Sequence, residues 1–180
     1  MTETADWPDA LRHAATKTGG WPDALREAVR LLSDRHGYDW TGIYLVGGSD
    51  LHLGPFVGAP TEHVRIAVGT GICGAAAAEA ATIVVDDVAS DPRYLSCFLS
   101  TRSEIVVPIF RGGSPSGQVI GEIDIDSNTP AAFGGADRTD LEELAAQLGA
   151  LAPADPLAGV VLNERLLVSQ VPVNEPESAG

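Results

Sequence analysis

The 180-residue chain is poor in cysteine, in cations and in long apolar runs, and each shortage excludes a class of protein. Two cysteines, Cys73 and Cys97, make no disulfide framework in a chain of this length. The default is a reducing, cytoplasmic compartment, where a thiol's role is chemical rather than structural. Eleven Lys and Arg stand against 25 Asp and Glu, a formal net charge of −14. That balance favours solubility and argues against nucleic acid or anionic membrane surfaces as partners, since both need basic patches. No apolar run approaches the roughly 20 residues of a membrane span, and MTETADWPDALRHA lacks the basic stretch and apolar core of a secretory signal. The histidines (13, 36, 52 and 63) are scattered, and there is no CxxC, HExxH, P-loop, GxSxG or dinucleotide-binding glycine pattern. No metal centre and no cofactor are expected.

What remains is a chain with enough apolar residues for a proper core. WPDALRHA at 7–14 returns as WPDALREA at 21–28, two copies where a repeat architecture needs at least three. The second copy predicts the first core helix, Pro22 to about Arg35, with Gly37 as the stop. Residues 1–20 are expected to be an N-terminal extension. Trp40–Val46 and Leu51–Phe56 read as a hairpin, Val64–Val68 and Thr82–Val85 as short strands, and Gly74–Ala80 as an alanine-rich helix. DDVASDPRYLSCFLST is a turn-rich excursion with one short helical turn. Ser103–Phe110 and Gln118–Asp126 form a second hairpin, and Asp137–Leu151 is an amphipathic closing helix. Strands dominate the middle and helices the ends. This predicts an α+β domain over 21–152, with a mostly antiparallel sheet and its N- and C-terminal helices packed on one face. The segment 153–180 is a proline-containing tail, read as either disordered or an added edge strand.

The residues with chemical potential are Cys73, Cys97, Glu104, Glu122, Asp124 and Asp126. In GEIDIDS the three acids alternate with Ile123 and Ile125, so they share one face of a strand. That face is either solvated or the wall of a pocket. Glu104 opens the neighbouring strand and reaches the same end of the sheet. Acids gathered in a pocket would have raised pKa values, the condition for proton donation near neutral pH. Cys97 sits in a polar turn between Arg93 and Arg102; it is either a small packing residue or an activated thiol. Cys73, flanked by Gly74, could gain acidity from a helix N-terminus, but a packing role in a tight turn is preferred. Trp40 and Tyr44 share a strand face, as core residues or as a cage for a small polar ligand.

DWTGIYLV, LHLGPFVGAP, VGTGICG, the downstream Cys97, SEIVVPI and DIDS together resemble the free methionine-R-sulfoxide reductases, enzymes built on a single GAF domain. The resemblance covers about residues 37–150. It implies a GAF-like fold, Cys97 as nucleophile, Glu104, Asp124 and Asp126 as the carboxylates of the site, and Trp40 and Tyr44 as substrate-holding aromatics. It implies reduction of free methionine-(R)-sulfoxide through a sulfenic acid. Where many members carry a further cysteine this chain has His63, so the sulfenic acid is resolved either by Cys73 or, preferably, by an external reductant such as thioredoxin or a low-molecular-weight thiol. Phe98 stands directly after the thiol in place of an acid. Homodimerisation through terminal helices is expected by analogy. The competing reading is a non-catalytic GAF module that binds a small molecule or senses redox state; the chain shows no kinase, cyclase or DNA-binding pattern to serve as its output.

Overall fold

The computed structural model describes His13, residues 20–95 and residues 98–163. The first WPDALR copy (His13 apart), Cys97 and the tail beyond 163 lie outside the described residues. Chain order is α1 (Trp21–Ser33), β1 (Trp40–Gly47), β2 (Asp50–Val57), β3 (Arg65–Ala67), α2 (Gly71–Glu79), β4 (Ile83–Val85), β5 (Ser103–Phe110), β6 (Val119–Ser127) and α3 (Gly135–Leu151). The six strands form one sheet, ordered β3-β2-β1-β6-β5-β4, with every neighbouring pair antiparallel. The expected α+β architecture is present, and among the described residues no helix is long and apolar enough to cross a membrane.

Period-two patterning divides the strands between two cores. Ile43 and Leu45 of β1, Ile105, Val107 and Ile109 of β5, and Ile123 and Ile125 of β6 point to one face. There they meet the helical stripes Leu25, Val29 and Leu32 of α1 and Leu141, Leu144 and Leu148 of α3. Both terminal helices therefore pack on this face, as their amphipathic spacing predicts. The other face carries Trp40, Tyr44, Leu51, Leu53 and Val106 and is covered by α2.

Two boundaries differ from the sequence expectation for identifiable reasons. The alanine-rich helix starts at Gly71 rather than Gly74, because the Gly74 amide already donates to the Thr70 carbonyl (3.0 Å) and closes its first turn. A Cβ at Gly74 would run into the carbonyl of Ala67, so the glycines permit close approach of α2 to the end of β3 rather than a loop. The described part of the tail is neither disordered nor a strand. It folds back over the domain: the Trp21 indole donates to the Pro156 carbonyl (2.8 Å), Arg111 to the Pro153 carbonyl (2.8 Å), and the Asn163 amide to the Leu53 carbonyl (3.0 Å). Leu157 and Val160 pack against the core.

Gly149 of α3 lies against the Phe110 carbonyl, where a Cβ would overlap the backbone. Gly→Ala inside a helix ordinarily gains about 0.5–1 kcal/mol. Gly149→Ala is expected instead to destabilise the domain by about 1–3 kcal/mol, the cost of overpacking. Urea unfolding measures this, and an unchanged or raised midpoint would refute the close approach.

Candidate functional site

The acids of β6 are not on a solvated face. Strand register places Asp126 between Trp40 and Glu104, Asp124 between Gly42 and Val106, and Glu122 between Tyr44 and Pro108. These rows lie on the α2 side, and Glu104, Glu122, Asp124 and Asp126 are all buried. The solvated alternative fails because α2 and the segments around it roof this face. From the roof Cys73 reaches down among the acids: its Sγ lies 3.3 Å from Asp124 Oδ2 and 4.0 Å from Glu104 Oε1.

Like charges crowded away from water cannot all remain ionised. Burial pushes Glu104 well up, with Asp124 and Asp126 adding to the effect. Burial and the nearby Asp124 push Glu122 up, against the influence of the Cys73 thiol. Asp126 is raised by burial, then by Asp124 and Asp39. Asp124 is raised by burial only to about 7, because the Cys73 thiol donates to it. Glu122 is the deepest: it is 0 % exposed, and among the described residues neither carboxylate oxygen has a hydrogen-bond partner; Asp124 Oδ1 is likewise unpartnered among them.

Cys73 does not gain acidity from the start of its helix. Burial pushes the thiol well up and the carboxylates push it further. Burial outweighs the acidifying effect of a helix terminus at this thiol.

A cleft of about 160 Å³ opens at the outer end of the acid rows, lined by Asp39, Trp40, Phe98, Thr101, Asp126 and Asn128 among others. The sequence neighbour of Phe98 is Cys97, which lies outside the described residues. The Trp40 indole donates to the Ala59 carbonyl (3.0 Å), stacks on Phe56 at 5.8 Å and tilts against Phe98 at 6.2 Å. Its ring lies over Gly42 and beside Gly58, where any Cβ would overlap it; Gly58 also has φ +135°. Tyr44, by contrast, does not line the cleft. It is buried next to Glu122 in the register, and its hydroxyl donates to the His63 carbonyl (2.7 Å). Of the expected site residues, Trp40 and Asp126 reach the cleft, Glu104 and Asp124 lie behind it, and Tyr44 is buried opposite Glu122. Arg93, expected near Cys97, is paired with Asp91 at 2.8 Å.

Asp39 escaped the sequence reading. Its Oδ2 accepts from the Asn128 amide (2.7 Å) and the Ser127 hydroxyl (3.5 Å), tying the start of β1 to the turn after β6 at the cleft. Its position directly before Trp40 was the only signal. Glu122 was visible as a third alternating acid, but nothing in the alternation marked it as the deepest.

An antiparallel six-stranded sheet roofed by a short helix, with two terminal helices behind it, is the architecture of GAF domains, and residues 21–151 match the GAF domain family. The chain is 38% identical over 110 residues to the free methionine-R-sulfoxide reductase of Escherichia coli, covering 61% of this chain and 64% of that relative, just under two thirds of its length. It superposes on the type II free methionine-R-sulfoxide reductase from Thermoplasma acidophilum with a TM-score of 0.68 at 39% identity, covering 73% of this chain and 91% of that one. It superposes on the free methionine-R-sulfoxide reductase from Neisseria meningitidis, solved in complex with its substrate, with a TM-score of 0.70 at 35% identity, covering 81% and 87%. The chain belongs to the GAF domain family and, within it, to the free methionine-R-sulfoxide reductases.

Because Glu122 holds a proton that the unfolded chain releases, its contribution to stability is present at acid pH and lost as pH rises through its folded-state pKa. Between pH 5 and 8, Glu122→Gln should remove up to about 1.4 kcal/mol per pH unit from the decline of wild-type stability. Urea titrations across that range test this, and superimposable pH dependences would refute it.

Proposed function

We propose that this protein reduces free methionine-(R)-sulfoxide to methionine, with Cys97 as the nucleophile. The observation that carries the proposal is the row of buried carboxyls, Asp126, Glu104 and Asp124, all raised by burial, leading inward from the Trp40 cleft whose wall includes Phe98. A free amino acid sulfoxide offers what such a site recognises: a cationic ammonium, a polar sulfoxide oxygen and a short apolar stem. The family relationship supports the same reading.

In the proposed reaction the Cys97 thiolate attacks the sulfoxide sulfur while a carboxylic acid, assigned to Glu104, protonates the sulfoxide oxygen. The attack forms a bond between the two sulfurs as the protonated oxygen leaves as water; a water molecule then adds to the Cys97 sulfur, the sulfur–sulfur bond breaks, methionine leaves, and Cys97 is left as a sulfenic acid. Sulfur in the substrate is reduced by two electrons and Cys97 sulfur is oxidised by two. One external thiol then condenses with the sulfenic acid, releasing water, and a second releases Cys97 as a thiol together with the external disulfide. Asp124 and Asp126 hold the substrate ammonium and tune Glu104. Trp40 packs on the apolar stem, and Tyr44 buttresses that wall. Cys73 is the internal candidate for resolving Cys97, but its buried, protonated thiol favours the external reductant, thioredoxin or a low-molecular-weight thiol.

Methionine release from separate R and S epimers of free methionine sulfoxide, with dithiothreitol as reductant, is the direct test. Turnover should be R-specific, abolished in Cys97→Ser and retained in Cys73→Ser. Glu104→Gln should lower kcat/KM by about 10²–10⁴-fold, the usual weight of a general acid. Folded protein inactive on both epimers would overturn the assignment and leave a GAF module that binds a small molecule or senses redox state.

A further inference from the structure

We propose that Cys73, Glu104 and Asp124 form a binding site for a divalent zinc-type cation, in which Glu122 supplies additional negative charge. Scattered histidines gave no sign of a metal centre, yet the fold gathers a soft and a hard donor set in one place. The Cys73 sulfur and one oxygen each from Glu104 and Asp124 lie within 4.8 Å of one another, all from buried residues. A tetrahedral zinc shell, with ligands about 2.0–2.3 Å from the metal, separates them by roughly 3.3–3.7 Å. The Cys73 contacts, 3.3 Å to Asp124 and 4.0 Å to Glu104, are a side-chain adjustment away from that shell.

The second observation is the unpartnered polar surface beside the thiol. Both oxygens of Glu122 and Oδ1 of Asp124 are buried without hydrogen-bond partners among the described residues. Buried carboxylates are ordinarily satisfied, and a cation beside the thiol would satisfy these oxygens with its charge. The thiolate donor selects the cation, because sulfur suits zinc and its transition-metal neighbours, whereas magnesium and calcium require oxygen shells. A bound cation also inverts the local proton balance, removing the protons that crowding otherwise holds on the thiol and carboxyls. Glu104 and Asp124 are the acids proposed above to serve the substrate, so zinc in this position would shut off turnover; that consequence, unlike the binding, rests on the proposed function.

The test is metal binding by the full chain, reduced with a phosphine, with substrate absent. Zinc competition against a chromophoric chelator should give one equivalent bound, with affinity rising at least tenfold per pH unit from pH 6 to 8 as protons are released. Cobalt(II) should give a sulfur-to-metal charge-transfer band that persists in Cys97→Ser and disappears in Cys73→Ser. Glu122→Gln, which keeps all three primary donors, should weaken zinc about tenfold while the cobalt band remains. Absence of stoichiometric binding by folded wild type, or a band lost with Cys97 and kept without Cys73, would overturn the proposal. Because no step uses methionine sulfoxide, this result is independent of whether the chain proves to be a reductase.

Discussion

Four carboxyl side chains share one dry face of an antiparallel sheet, and the arrangement of the site follows from the need to keep them from being charged together. Glu104, Glu122, Asp124 and Asp126 are each at most 5 % exposed. Within that depth ionisation costs more than any contact among the described residues returns, so burial raises all four. The Cys73 thiol breaks the symmetry. By donating to Asp124 it offsets part of the cost of burial at that carboxyl. Raising buried carboxyls above their ordinary range is how acid chemistry near neutral pH becomes available to aspartate and glutamate.

The rest of the domain holds that face in place. The opposite side of the same strands carries isoleucine, leucine and valine locked against the two terminal helices. Because alternate side chains of β5 and β6 serve the two faces, slipping either strand by one residue would exchange isoleucines for acids. The apolar core therefore sets the register that pairs Glu104 with Asp126. Stability resides on one side of the sheet, and the site's unfavourable electrostatics on the other. Small residues let the roof come close: Gly74 allows α2 down onto the end of β3, and Gly42 leaves room for the Trp40 ring.

The cleft shows a division of labour. Trp40 gives its ring to the opening and anchors its indole nitrogen to the Ala59 carbonyl, while Tyr44, on the same strand face, turns its hydroxyl to the His63 carbonyl and closes the interior. Asp39 clamps the turn after β6. These contacts orient the wall, and they meet the acid set at Asp126, which lines the cleft with Trp40 and Asp39.

Much of this was legible in the chain itself. The helical stripes of Leu25, Val29 and Leu32 and of Leu141, Leu144 and Leu148 predicted both terminal helices and their common face. The alternation of GEIDIDS predicted three acids on one side of a strand, because side-chain direction along a strand is local geometry. Local geometry could not say whether that side met water. Only the placement of α2 over the sheet decided it, since a strand's second face is buried or wet according to what packs on it from elsewhere in the chain. The same placement brought Cys73 to Asp124 across 51 positions of sequence, turned a thiol expected at a helix mouth into a buried donor, and sent Tyr44 inward while Trp40 stayed at the cleft. Residue type and period determined which side chains were available for chemistry; long-range packing, through the loss of water it imposes, decided which are charged and what they can reach.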